Sequence, residues 1–490
     1  MTFKPYPFQE KDLAKLREHN YTGLLSVEMG GGKSVSSLLA VQDAGASQTL
    51  IVAPKSTHET AWNADAQMAL GQEVRVMGNG TKAQRQALSD FEWGGKGLFA
   101  VTPQAFTRAD ISMWKPDVLI ADEIHTLNNP GSAGQRKLSG FSAKDSPINL
   151  QCGIRLGLSG TPARNNFERL WSVMRFLWPE LNQRGQVAYD NPWAWNLSRM
   201  TSEDVFAGRK PTGEIRTVKK WLVEKEPGLL FSQAPCVIQH FRRETCCADP
   251  THQGGFLKHD APNVTRRVVE ISPKQKRIIK ELEEQGIAWL DEHPMVVDLP
   301  MTLQQRIRQA CLGVPTLEPT GELDEYGVPK MNVLFEHDTT SSFADAVEDT
   351  LEHWGDETAI IFMSSQKFAS ALTTRLNRKG FKAFEFSGAT AKTRMDDLKR
   401  FGTDYQVMVA TIESVGVGTN GIQKACKNEI WLERSLDDSM NLQGESRTDR
   451  LGSIGQTQRV IIEDDMGYAA GRYSEQVEKR IQLSRSLRSE

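Results

Sequence analysis

The chain has 490 residues, 39% hydrophobic and 25% charged, with a formal net charge of −3. This is the composition of an ordinary soluble globular protein of about two to four structural units, and it excludes a bulk polycation, so any nucleic acid must bind local basic surfaces. No apolar run reaches the roughly 18–20 residues of a membrane span, the N-terminus lacks the apolar core of a signal peptide, and six cysteines form no dense disulfide framework, so a cytoplasmic location is expected.

Residues 22–162 alternate short apolar runs with helix-length amphipathic stretches. The runs are Gly23–Val27, Thr49–Ala53, Glu73–Val76, Leu98–Val101, Val118–Ala121 and Arg155–Leu158. Continuous apolar strands separated in this way indicate a parallel sheet covered on both faces. In an open α/β sheet, the loops at the carboxyl ends of the strands hold ligands.

Gly30-Gly31-Gly32-Lys33-Ser34 follows the first run and opens a helix. Glycines let backbone N–H groups approach phosphate oxygens, and a helix N-terminus favours negative charge. Lys33 is expected to reach the β and γ phosphates of ATP, and the Ser34 hydroxyl to ligate Mg2+. The strict phosphate-loop pattern has glycine at position 27, where this chain has Val27, so the cluster alone also fits a structural turn.

Asp122-Glu123-Ile124-His125 ends the fifth run, and Ser159-Gly160-Thr161-Pro162 ends the sixth. An acidic pair at a strand's carboxyl end can divide two tasks. Asp122 would hold Mg2+ through water, and Glu123 would orient and deprotonate the attacking water. Without the upstream loop, the pair would read as an exposed acidic turn.

The stretch from 181 to 340 is polar and helical in texture, with one helix expected over Lys276–Leu290. A loop or hairpin is expected over 313–330, which holds Pro315, Pro319, Gly321, Gly327 and Pro329. A second apolar series follows at Ala359–Phe362, Lys382–Phe386, Gln406–Ala410, Glu429–Leu432 and Arg459–Ile462. The predicted fold class is therefore α/β, with two parallel-sheet domains in tandem. They are placed at 1–180 and 341–490, with a helical protrusion and linker at 181–340 between them. A charged helix over Glu475–Leu487 would brace the second domain. Arg447 and Arg450, three residues apart, are expected on one face of a polar helix with Gln443. Alone they would be surface charge. After a phosphate loop and a second α/β domain, they are placed to neutralise the γ-phosphate across a cleft.

These residues resemble superfamily 2 helicases, and within them the SNF2-like double-stranded DNA translocases. Glu28-Met29-Gly30-Gly31-Gly32-Lys33-Ser34 is similar to the family's Asp-Glu-Met-Gly-Leu-Gly-Lys-Thr. Asp122-Glu123-Ile124-His125 is similar to its Asp-Glu-Ala-His. Leu158-Ser159-Gly160-Thr161-Pro162 runs on through Asn165, Glu168, Leu170-Trp171 and Phe176-Leu177-Trp178-Pro179, the most family-specific segment present. Phe241-Arg242-Arg243, Ser387-Gly388, Arg394, Phe401, Gly416-x-Gly418-x-Asn420 and Gln443-x-x-x-Arg447-x-x-Arg450 continue the likeness over nearly the whole chain. There are departures: Val27 replaces an acid, Asn128 stands where lysine is favoured, and Leu451-Gly452-Ser453 interrupts a usual Arg-Ile-Gly-Gln.

The resemblance implies RecA-like domains, ATP and Mg2+ as cofactors, and a compact engine like those of bacteria and phages, expected to be a monomer. It places Phe8 and Gln9 at adenine and Gly418 at the nucleotide. His125, Ser159, Gly160, Thr161 and Gln443 would couple hydrolysis to movement. It lays double-stranded or branched DNA across Lys55, Thr102, Ser364, Arg394, Thr411 and Asn420, through phosphate contacts rather than base edges. A branched-DNA recombination helicase and a non-catalytic DNA clamp are the alternatives. Cys236, His240, Cys246, Cys247, His252 and His259 could suggest zinc, but their spacing matches no strong zinc pattern. Trp193 and Trp195 are expected to be packing anchors.

Overall fold

The structure is a computed structural model. It describes residues 3–142, 144–162, 167–179, 191–209, 215–226, 228–240, 259–290, 293–296, 300–323, 329–415, 419, 421–435, 437–450 and 452–468. The chain divides into two compact units, one within residues 1–256 and the other within 257–477.

The first unit is built on strands β1 (Gly23–Val27), β2 (Gln48–Val52), β3 (Val74–Val76), β4 (Gly97–Val101), β5 (Val118–Asp122) and β6 (Ile154–Leu158). A hairpin of β7 (Met200–Arg209) and β8 (Ile215–Glu224) and a short strand β9 (Val237–His240) follow. Every residue of β1, β2 and β5 is buried, as expected of strands covered on both faces. The sheet has seven strands in the order β3-β4-β2-β5-β6-β1-β9, and each pair is parallel.

The second unit carries β10 (Asn263–Val269) and two antiparallel pairs, β11 (Ile287–Leu290) with β12 (His293–Val296) and β13 (Thr316–Leu323) with β14 (Pro329–Leu334). Then come β15 (Ala359–Met363), β16 (Ala383–Phe386), β17 (Val407–Thr411), β18 (Asn428–Trp431) and β19 (Gln458–Asp464). Its main sheet has six strands, all parallel, ordered β10-β19-β18-β15-β17-β16. The expected class, α/β with two parallel sheets in tandem, is the one observed.

The segment 181–340 departs from the helical protrusion expected of it. Its described part is shared between the two units, and it supplies β9 to the first sheet and β10 to the second. Both are edge strands; β10 is polar and β9 has only four residues, so neither shows as an apolar run. Most of β10, with Arg266 and Arg267 in it, is exposed. The helix expected over Lys276–Leu290 runs instead over Pro273–Gln285. Ser272 and Gln275 form a capping box at its start, and Gly286 stops it at φ 70°, releasing Ile287–Leu290 into β11. The hairpin expected within 313–330 is β13–β14. The helix expected over Glu475–Leu487 lies outside the described residues.

Candidate nucleotide site

Strands β5, β6 and β1 are adjacent, in that order. Their carboxyl ends carry Asp122-Glu123, Ser159-Gly160-Thr161 and the glycine loop. Sheet topology thus brings together three motifs that the chain spreads from Gly30 to Thr161.

The loop after β1 turns through Gly30 (φ 78°) and Gly32 (φ 77°), backbone that side chains rarely adopt, and Gly32 caps the helix Lys33–Asp43. At Gly31 the constraint is space: a Cβ there would lie 2.4 Å from Val27 Cγ1 and 2.9 Å from the Glu28 carbonyl oxygen. The Val27 side chain therefore occupies room that only a glycine at 31 leaves open. Gly160 approaches the same loop, since a Cβ on it would meet the Val27 carbonyl at 3.2 Å and Met29 N at 3.5 Å.

Asp122 is buried. Its Oδ2 accepts from Trp62 Nε1 at 2.9 Å, and its Oδ1 accepts from the Glu123 N–H at 3.0 Å. Burial, then the neighbouring Glu123 carboxylate, push its pKa up to about 6, against the attraction of Lys33. Glu123 is one of the few non-glycine residues with positive φ, at 47°, a conformation costing on the order of 1–3 kcal/mol. Its carboxylate lies 3.2 Å from His125 Nδ1, and the same nitrogen lies 3.0 Å from Ser159 Oγ. Ser159 Oγ also accepts the Thr161 N–H at 3.0 Å, and Asn128 Nδ2 donates to the Pro162 carbonyl at 3.2 Å. The expected coupling residues His125, Ser159, Gly160 and Thr161 thus form one connected cluster with Glu123.

Ser34 Oγ donates to Asp65 Oδ2. Burial raises the pKa of Asp65, and the Ser34 bond opposes that shift. Hydroxyl and carboxylate oxygens are the hard donors Mg2+ takes, and it is usually held by one or two carboxylates with water and phosphate completing its shell. Ser34 and Asp122 fit that description, and the loop is shaped for phosphate by Gly30 and Gly32. Among the described residues, no group of three or more His, Cys, Asp or Glu forms a metal cage.

The N-terminal helix Pro7–Glu18 is tied to β9. His240 Nε2 lies 2.5 Å from Asp12 Oδ1, and Lys15 Nζ donates to the Val237 carbonyl at 2.9 Å. Phe8 is buried with its ring edge-to-face against His240, centroids 5.6 Å apart, so it presents no open face for stacking. Gln9 is also buried. Its Oε1 accepts the Tyr6 N–H at 3.0 Å, and its Nε2 lies 2.9 Å from where a Gly32 Cβ would stand. Of the pair expected at adenine, Gln9 borders the phosphate loop.

The expected DNA contacts differ in what they present. Lys55 is exposed just beyond β2. Thr102 caps the helix Pro103–Arg108, its hydroxyl accepting the Ala105 N–H at 3.1 Å. Ser364 and Ser365 N–H groups both donate to Glu433 Oε2, at 3.0 and 2.8 Å. Arg394 donates to the Ser387 carbonyl at 3.0 Å and lies over the Phe386 ring. Thr411 is a correction: it is buried and its hydroxyl donates to Ser414 at 2.8 Å, because β17 runs one residue further than its apolar run and draws Thr411 inside. Gly418 and Asn420 lie outside the described residues.

Arg447 and Arg450 are a second correction. The helix is Asp438–Glu445, so Gln443 lies on it while both arginines follow its end. The contacts beyond that end are tertiary. Thr448 is fully buried and donates to Glu429, whose carboxylate also accepts from Trp431 Nε1 at 2.9 Å and Arg459 Nε at 2.5 Å. The helix has ended by Ser446, and Thr448 turns inward just beyond it. Arg447 is buried and donates to the Thr419 carbonyl at 2.8 Å, and Arg450 is half-buried. Buried Gln443 Oε1 has no hydrogen bond among the described residues.

Cys236 is buried before β9, where burial pushes its thiol up to about 11, while His240 is engaged by Asp12 and His259 by the Ser453 carbonyl. Cys246, Cys247 and His252 lie outside the described residues. Trp195 is fully buried, whereas Trp193 is half-exposed and packs edge-on to Trp221. Sequence reading passed over Trp62, Asp65, Glu429 and Glu433. The one signal was Trp62 and Asp65 standing three apart after β2.

Residues 11–193 match the model of the SNF2-related domain. The matched residues hold the glycine loop, the acidic pair and the Ser159–Pro162 loop. The lymphoid-specific helicase of Homo sapiens is 30% identical over 183 residues, covering 34% of this chain and 20% of that protein. The chromatin-remodeling ATPase INO80 of Sclerotinia sclerotiorum is 29% identical over 186 residues, covering 34% of this chain and 10% of that protein. DNA excision repair protein ERCC-6-like of Danio rerio is 22% identical over 513 residues, covering 94% of this chain and 34% of that protein. The chain thus spans about a third or less of these relatives' lengths. A Sulfolobus solfataricus SWI2/SNF2 ATPase core, solved in complex with dsDNA, aligns over 99% of this chain and 98% of its own at 13% identity and a TM-score of 0.39. No helix among the described residues is long and apolar enough to cross a membrane.

Proposed function

We propose that this chain is a DNA-dependent ATPase of the SNF2 type that couples ATP hydrolysis to translocation along double-stranded DNA. The observation that carries the reading is the convergence of Lys33, Ser34, Asp122, Glu123, His125 and Ser159 at the ends of β1, β5 and β6, inside the matched domain.

In this reading, loop N–H groups and Lys33 hold the phosphates, and Glu123 takes the proton of the attacking water. Ser34 and Asp122 would hold Mg2+, which would supply charge neutralisation when bound. Arg447 and Arg450 are assigned the neutralisation of the γ-phosphate as it transfers. The Ser159–His125 pair relays the state of the γ-phosphate to the DNA-facing loops.

ATP turnover measured with no DNA, single strands, duplex, forks and four-way junctions tests the reading. Duplex should stimulate turnover and drive triplex displacement, while forked duplex unwinds poorly. Lys33→Ala should lose nucleotide binding, and Glu123→Gln should bind ATP with turnover reduced by about 10²-fold or more. Stimulation by junctions alone would favour branch migration. ATP binding without turnover under any of these conditions would leave the clamp.

A further inference from the structure

Two bonds outside the recognised motifs converge on the two residues that fit Mg2+. Trp62 Nε1 donates to Asp122 Oδ2 at 2.9 Å, and Asp65 accepts the Ser34 hydroxyl. Both come from one short segment. A π-helical turn, His58–Asn63, runs directly into the helix Ala64–Leu70, so Trp62 and Asp65, three residues apart, straddle the junction. π turns are rare and recur at functional sites, because the extra residue re-aims side chains. This one is anchored at both ends: His58 Nε2 lies 2.8 Å from the Ala53 carbonyl, and Asn63 Oδ1 accepts the Val74 N–H at 3.0 Å.

A serine hydroxyl has one proton and two lone pairs. To ligate a cation it must turn its lone pairs to the metal and its proton away, onto an acceptor. Asp122 takes its bonds from Trp62 and the Glu123 N–H, and the Ser34 proton goes to Asp65 instead. Asp65 is half-buried and holds the proton. Acceptors of this kind around metal ligands set ligand orientation and typically alter metal affinity 10–100-fold.

We infer that Asp65 is a positioning residue for the Mg2+ of the nucleotide site, fixing the Ser34 hydroxyl with its lone pairs free for the cation, while Trp62 from the same segment fixes Asp122. The inference rests on the ATP-site reading above.

The test is Mg2+ titration of fluorescent ADP binding to the full chain, alongside the same binding in EDTA. Asp65→Ala should need about 10-fold more Mg2+ for half-maximal binding. Its metal-free affinity should match wild type within about twofold. Asp65→Asn keeps an acceptor oxygen and should rescue most of the loss. In a Ser34→Ala background, Asp65→Ala should add less than about twofold, because the bond it removes is already gone. If Asp65→Ala does not fold, Asp65→Leu fills the same space without an acceptor and should show the same Mg2+ defect. Equal weakening with and without Mg2+, or full additivity with Ser34→Ala, would overturn the inference while leaving the ATP site in place. A wild-type chain whose nucleotide binding ignores Mg2+ would overturn both.

Discussion

The Ser159 hydroxyl lies 3.0 Å from His125 Nδ1 and joins the loop after β6 to the loop after β5. The same imidazole nitrogen is 3.2 Å from the Glu123 carboxylate, so any movement of Ser159 is felt at the residue assigned to the attacking water. Ser159→Ala should therefore leave ATP affinity and DNA-free turnover within a few fold, and remove most of the stimulation by duplex. Steady-state turnover with and without duplex reads this out. Full stimulation in the variant would confine Ser159 to folding the Thr161 turn.

Asp122 predicts a pH effect whose sign is fixed. Its folded pKa, about 6, stands above the ordinary 3.8. Between those values the folded chain keeps a proton that the unfolded chain has released. Its contribution to stability is therefore full below the unfolded value and is lost as pH rises through about 6. Asp122→Asn removes the penalty while keeping an acceptor oxygen for Trp62 or Glu123. Without ligand, it should be more stable than wild type at pH 7.5, on the order of 1–3 kcal/mol. Near pH 4 the two should melt alike. Urea unfolding at the two pH values checks this, and a variant no more stable at pH 7.5 would refute it.

The buried ion pair of Glu429 and Arg459 holds the turn that carries the two arginines. Glu429→Gln removes the nearer of the two carboxylates that pair with buried Arg459, leaving Glu445 at 3.5 Å, and should destabilise the second unit by about 1–3 kcal/mol. Thr448→Val removes only the tether. It should cost about 1–3 kcal/mol and lower turnover through misplaced Arg447 and Arg450. Arg447→Ala should keep ATP affinity within a few fold and lower turnover by at least about 10-fold. Unfolding curves and turnover measured on the same preparations separate the two effects.

The sheets were legible because buried parallel strands must be apolar along their whole length, and β1, β2, β5, β15 and β17 are buried throughout. Strand β10 is polar and mostly exposed and β9 has only four residues, so neither left a mark. The phosphate loop and acidic pair were legible because phosphate and water chemistry restrict residue types at fixed spacing. Trp62 and Asp65 were not, since an indole and a carboxylate on a short helix look like ordinary packing and surface until the fold sets them against Asp122 and Ser34. Arg447 and Arg450 were expected on a helix that in the structure ends at Glu445, before both, and the inward bond from Thr448 to distant Glu429 is a contact that local spacing does not show.

For DNA, the proposed contacts to phosphates imply affinity falling steeply with salt, with a log–log slope near −0.9 per neutralised phosphate. Lys55→Ala should weaken binding to unrelated duplexes about equally and make the slope shallower by about one contact. Thr411→Val should leave affinity unchanged, because that hydroxyl faces Ser414. Filter binding or anisotropy across a salt series decides both. A site preferred by more than about 10³-fold would reveal base readout.

The fit of Val27 against Gly31 couples the two positions sterically. The resemblance has an acid and a leucine where this chain has valine and glycine, and no Cβ can stand at 31 while the Val27 methyl is there. Each single reversion crosses unfavourable ground: a leucine at 31 collides, and an acid at 27 alone puts a carboxylate in a fully buried strand. A leucine grafted at 31 also meets the Glu28 carbonyl at 2.9 Å from its Cβ, so a consensus loop needs a change at 27 and a shift of the loop backbone together.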